Sequence, residues 1–280
     1  MHRIVPFLLV YAGLAVLFGT LERLAPAISS ANSPRARKSG DAARQRKTDL
    51  AYGVLTPLVA RTIGEGAIIV VVSLLAIVIG HARDKAGIQA FVNHHSSLAL
   101  QPRPLQLLEL LFVADLAGYA SHRLFHAKRL WPFHAVHHSA DDLYWLSSVR
   151  GHPVNEILSR LAIVLPLLAF GFDLTVTASV APILMLYAIF VHANVRWDFG
   201  PLRYVIATPV FHRWHHSSEE DGLDKNFAGL FPVIDLVFGT FYLPKGRQPQ
   251  RFGVPDLAMP SGVLGQLAYP FRRSRLSPNS

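Results

Sequence analysis

Long stretches without charge constrain this chain more than any other feature. Ile4–Leu21 contains no charged residue and is long enough to cross a bilayer as a helix. Ile63–Gly80 is a second apolar block, with Glu65 near its start, and Leu105–Ala120 is a third, interrupted by Asp115. Ile157–Phe170 and Leu174–Val191 follow, separated only by Gly171, Phe172 and Asp173. So short a break predicts a helical hairpin, and Pro166 and Pro182 are expected to kink it. Apolar residues make up 51% of the 280-residue chain, too many for an ordinary soluble domain. The expected fold class is all-α, an integral membrane bundle of about four to five membrane helices including the hairpin.

Charge gives that bundle an orientation. Arg35, Arg37, Lys38, Arg44, Arg46 and Lys47 follow the first block. A dense basic run favours a retained helix over a cleaved signal peptide, despite the small residues at Ala25–Ala27, and puts the 35–47 loop on the cytoplasmic side. Counting crossings from there, residues 121–155 and 192–280 also lie inside. The tail, with Arg247, Arg251, Arg272, Arg273 and Arg275, then shares that face. The net charge of +9 is read as topology and contact with anionic headgroups. No basic stripe or binding motif points to nucleic acid. Phe231–Tyr242 is apolar but too short to span, which suggests an interfacial helix.

The chain has no cysteine, which excludes disulfides, thiolate-held clusters and a catalytic thiol. A metal must be held by His, Asp, Glu or Asn. Ten of the 14 histidines fall between residues 122 and 216. His122 and His126 form an H-x3-H box; His134, His137 and His138 form an H-x2-H-H box; His212, His215 and His216 repeat the second spacing. Residues i, i+3 and i+4 of a helix share a face. The first and last histidines of each longer box therefore align, with the middle one beside them. Eight imidazoles on converging helices can hold two metal ions, and imidazole suits Fe, Zn, Cu and Ni. A lone histidine is usually a core residue, but three boxes on one face of a membrane bundle are not explained by packing. His192 ends the hairpin on the metal-facing side and is a further candidate ligand. His152 is another, with Glu156 as the group that would orient it; capping the following helix is its alternative role. Asp115 lies on the His122 face, either bonded to a ligand imidazole or making a polar contact between helices.

These residues resemble the fatty acid hydroxylase/sterol desaturase superfamily of membrane dimetal oxidases. The match lies in the three boxes, His192-Ala-Asn between them, and Asn226-Phe-Ala-Gly and Asp235-Leu-Val-Phe-Gly-Thr after them. It covers roughly residues 105–245, taken as the oxygenase domain, with membrane helices in 1–104 and a basic tail in 246–280. The resemblance implies a membrane core capped by a cytosolic helical layer carrying the histidines. It also implies two Fe ions, O2 as co-substrate, two external electrons and a hydroxylated or desaturated lipid product. The family's metal role carries to His122, His126, His134, His137, His138, His192, His212, His215 and His216, and to His152. Purified protein can carry Zn instead, because zinc binds such sites well. No haem module, Gly-rich dinucleotide loop or cysteine cluster is present, so the electrons must come from a separate donor protein.

Two other classes compete. A zinc-dependent membrane hydrolase needs a positioned base and an open site, but no H-E-x-x-H motif exists and eight box histidines exceed what one zinc needs. A metal transporter or sensor places ionisable ligands along the middle of several membrane helices, whereas these cluster at helix ends.

Overall fold

The computed structural model describes residues 4–28, 39–93, 96–172, 174–254 and 259–272. Arg35, Arg37, Lys38, Asp173, Arg273 and Arg275, all invoked in reading the sequence, lie outside them. Among the described residues the regular structure is helical; pairing of extended backbone is confined to isolated bridges, Pro26 with Val195 and Ser217 with Phe252.

The first apolar block is helix α1, Ile4–Leu24. The second departs from expectation. The basic segment is helical from Ser39, and α2 (Ser39–Leu55) continues through a π turn at Thr56–Ala60 into α3 (Arg61–Val78). Pro57 lies in that turn. Proline cannot donate to the preceding turn, and widening to π geometry lets the helix pass it without breaking. Arg44, Arg46 and Lys47 are therefore on a helix and not in a loop. Ala42–Val78, 37 residues, is long and apolar enough to cross a membrane, and Val176–His192 is a shorter apolar helix.

After α4 (Lys85–Val92), the third block becomes α5, Arg103–Phe125. Pro104 lies in its first turn, where a missing N–H costs nothing. The hairpin is α7 (Pro153–Ala169) and α8 (Leu174–His192), with Pro166 and Pro182 inside the two helices. Helix α7 packs against α5 and α3. Gly64 of α3 lies at this contact, beside the Arg160 side chain. Leu110 and Ala114 of α5 join Leu167, Phe172 and Val180 in one core cluster. A second unites α1 with the metal-facing end of α8 through Leu14, Phe18, Trp145, Ile189 and Ala193.

Short helices cover the ends of α5, α7 and α8: α6 (Trp131–His134), α9 (Pro209–His215), α10 (Val233–Phe238) and α11 (Val263–Arg272). The apolar run at 231–242 is thus helical for only six residues, because Gly239 in the left-handed region ends it. Ile234 and Asp235 face inward, while Leu236, Val237 and Phe238 remain exposed.

Candidate metal centre

The histidines reach the centre from helix ends. His122 is in the last turn of α5 and His126 caps it; His134 ends α6; His192 ends α8; His212 and His215 lie in α9 and His216 caps it. Helix C-termini carry partial negative charge, so these ends favour a cation. Local sequence sets each end. Pro132 starts α6, and Thr208 caps α9 by accepting from Phe211 N at 3.1 Å, with Pro209 in its first turn.

Nine imidazoles fall into two groups. His122, His126, His134, His138 and His215 form one; His137, His192, His212 and His216 form the other. Within each group one nitrogen per ring lies within 4.8 Å of all the others. Each longer box is divided between them. Its i and i+4 members share a group and its i+3 member, beside them on the chain, belongs to the other. The groups adjoin, with His138 and His216 stacked at 4.4 Å between ring centroids.

Tautomers decide what these groups can hold. His122 Nδ1 lies 2.9 Å from Phe227 O, and His134 Nδ1 lies 3.0 Å from Asn155 Oδ1. Both acceptors are carbonyl oxygens, so both rings carry their proton on Nδ1 and turn a bare Nε2 inward. Those two Nε2 atoms are 3.0 Å apart. His137 and His192 repeat the pattern, with Nδ1 on Arg150 O at 2.9 Å and Ala188 O at 2.6 Å and Nε2 atoms 3.2 Å apart. Two lone pairs at that distance repel unless a cation lies between them. Nitrogens bound at about 2.1 Å and at right angles to one another are about 3.0 Å apart. Buried Nε2 atoms of His126 and His216 have no hydrogen-bond partner, again as free donors. The residues fit metal ions at both positions.

Burial keeps the rings neutral. It holds the imidazoles of His134, His138, His212, His215 and His216 well below the usual range, and neighbouring imidazoles push the same way. Burial likewise brings His137 down to about 4, opposed by its bond to Arg150 O. Neutral imidazole is the ligand form.

Several supporting residues carry no signature in the histidine spacing. Asn155, three residues after His152, lies in the polar first turn of α7 beside Glu156, so nothing local distinguishes it. Asp224 Oδ1 lies 2.8 Å from His126 Nδ1. Asp49 accepts from Arg150 Nε and from Tyr144 OH, fixing the residue whose carbonyl holds His137. The Asn226-Phe-Ala-Gly segment acts through its backbone. Asp235 accepts from Phe227 N and Ala228 N at 2.8 and 2.9 Å, so the Phe227 carbonyl stays aimed at His122.

Two sequence expectations change. His152 is in neither group. Its Nδ1 accepts from Val154 N at 3.1 Å, capping α7, and its Nε2 faces Leu267 O at 3.2 Å, tying down α11. With both nitrogens engaged it has none to give a metal, and the Glu156 carboxylate faces Arg160 instead of orienting it. Among the described residues Asp115 is hydrogen-bonded to a loop and not to an imidazole. It accepts from Gly229 N, Leu230 N and Phe231 N at 2.6–3.0 Å. Gly229 permits this, because a Cβ there would sit 3.3 Å from the carboxylate. Asp115 thus fixes the far end of the loop that orients His122.

Residues 107–240 match the family described as fatty acid hydroxylase. An ornithine lipid hydroxylase of Rhizobium tropici is 31% identical over 173 residues, 61% of this chain and 52% of the relative. The alkylglycerol monooxygenase of Homo sapiens is 34% identical over 128 residues, 45% of this chain and 28% of the relative. A very-long-chain aldehyde decarbonylase of rice is 29% identical over 157 residues, 49% of this chain and 24% of the relative. The chain therefore spans about half the length of the first relative and less of the others. No solved structure matches. The histidine-bearing region, residues 107–240, is thus a match to the fatty acid hydroxylase family.

Proposed function

We propose that this chain is a membrane-bound, O2-dependent lipid hydroxylase. In this reading His122, His126, His134, His138 and His215 hold one iron ion, and His137, His192, His212 and His216 hold a second. The observation that carries it is the inward pairing of bare Nε2 atoms, His122 with His134 and His137 with His192. Residues 105–245 form the oxygenase unit, between the N-terminal membrane helices of 1–104 and the tail of 246–280.

Bound iron supplies the activation of O2 that attack on an unactivated C–H bond needs and no side chain provides. The chain's own residues do the rest. Carbonyl oxygens and Asn155 hold the ligand rings in one tautomer. The rings of Trp131 and Phe227 pack against His126 at 5.0 and 4.9 Å, excluding water. The substrate is a lipid with a polar head, the class named by the ornithine lipid hydroxylase and alkylglycerol monooxygenase relatives. Hydroxylation is favoured over desaturation by those names. Two electrons come from a separate donor protein.

The bundle crosses the membrane four to five times with the histidines on the cytoplasmic face. Exposed apolar residues on α1 (Leu9, Val16), α3 (Ile69, Val70) and α8 (Ile183, Leu186) support this placement. So does the collection of the nine histidines at helix ends.

The test is elemental analysis of the full chain, purified anaerobically in mild detergent, beside the His137→Ala/His215→Ala variant. About two irons per chain, lost in the variant, is the expected result. Reaction with a reductant, oxygen-18 gas and polar lipids should then place the label in a product. Less than one metal per chain, unchanged in the variant, refutes the reading.

A further inference from the structure

The two groups of histidines are not held alike. In the four-histidine group the Nδ1 acceptors of His137 and His192 are backbone carbonyls. In the five-histidine group His122, His134 and His215 also face neutral acceptors, Phe227 O, Asn155 Oδ1 and Lys225 O. His126 alone among the described ligand histidines faces a carboxylate, Asp224 Oδ1 at 2.8 Å. Its Nε2 is buried and has no hydrogen-bond partner, whereas the Nε2 atoms of the other four lie within 3.0–3.1 Å of a neighbouring imidazole.

Asp224 belongs to a loop built for this task. Within four residues that loop gives an acceptor to three ligands: Asp224 to His126, Lys225 O to His215 and Phe227 O to His122. Its backbone is unusual, since Asp224 and Asn226 both hold positive φ, 54° and 58°, a conformation uncommon outside glycine. Asn226 pins it from inside, donating to Phe211 O and Tyr242 O at 2.9 and 2.7 Å and accepting from Tyr242 N at 2.7 Å. The Asp224 side chain is 74% exposed while the His126 side chain is 8% exposed. The carboxylate thus meets the buried site through the imidazole of His126.

We infer that Asp224 is a positioning residue that makes the five-histidine position the stronger metal site of the two. This rests on the dimetal reading above. An anionic acceptor on Nδ1–H fixes the ring and increases electron donation from Nε2, and loss of such partners typically costs 10–100-fold in metal affinity. Asp224→Asn keeps the size and an acceptor oxygen but removes the charge. Asp224→Glu keeps the charge. Asp221→Asn, three residues away beside Arg247, controls for general loss of surface acidity.

The experiment is competition between a chromophoric chelator and the full chain for ferrous iron, in detergent under anaerobic conditions, with Mössbauer spectra of the loaded protein. In Asp224→Asn one of the two irons should become about 10–100-fold easier to extract, with one spectral component shifted. Asp221→Asn and Asp224→Glu should keep both irons near the parent behaviour. Equal extraction in Asp224→Asn and the parent, with unchanged spectra, overturns this inference alone. Weakening of both irons alike also overturns it. A parent chain that binds no iron overturns the dimetal reading as well.

Discussion

Asp49 and Arg150 form a buried ion pair, 0% and 3% exposed. Helix α2 brings Asp49 under the segment between α6 and α7. There its carboxylate accepts from Arg150 Nε and, at 2.8 Å, from Tyr144 OH. Asp49→Ala removes that acceptor and leaves the guanidinium with the Ser139 hydroxyl at 2.8 Å. Breaking a buried pair from one side costs about 3–5 kcal/mol, because the remaining charge stays out of water. At roughly 2–4 °C per kcal/mol, the melting temperature should fall by roughly 6–20 °C. The Arg150 carbonyl orients His137, so the four-histidine group should lose metal before the five-histidine group does. The assay is thermal unfolding in detergent followed by intrinsic fluorescence, with metal content measured on the surviving fraction. Replacing both partners by apolar residues, Asp49→Leu with Arg150→Met, should recover most of the loss, since a buried pair exchanged for packed apolar groups is often neutral. A shift below about 2 °C in Asp49→Ala would show that water reaches the pair and that the burial argument fails.

Three further outcomes follow from the site. Because burial lowers the histidine pKa values, the unfolded chain binds more protons than the folded one once the pH drops below about 6.5. Metal-free protein should therefore hold its stability above that pH and lose it progressively toward about 4, the value for His137, as denaturant titrations across this window will read. Asn155→Ala removes the acceptor 3.0 Å from His134 Nδ1 and should weaken metal retention about 10–100-fold in chelator competition; unchanged retention would remove Asn155 from the site. His152→Ala should leave metal content intact while costing about 1 kcal/mol through the lost cap on α7. Loss of a metal in that variant would restore His152 as a ligand.

The sequence by itself marked most of the long helices and the histidines that the fold gathers. Periodicity is local, so runs such as Leu105–Ala120 and the hairpin at 157–191 declared themselves, and i, i+3, i+4 spacing told which histidines share a helix face. Tertiary structure decided the rest, because it depends on contacts between residues distant in the chain. His215 joins His122 and His138, while His212 joins His192, only after the hairpin returns α9 beside α5. The split of each box between two positions is thus a property of packing. Asp224, 98 residues from its partner His126, and Asp49, 101 residues from Arg150, have no local signature at all. His152 shows the reverse. Its place beside Pro153 fitted either a ligand or a cap, and only the fold brings the carbonyl of Leu267, 115 residues away, to its second nitrogen and leaves it outside both histidine groups.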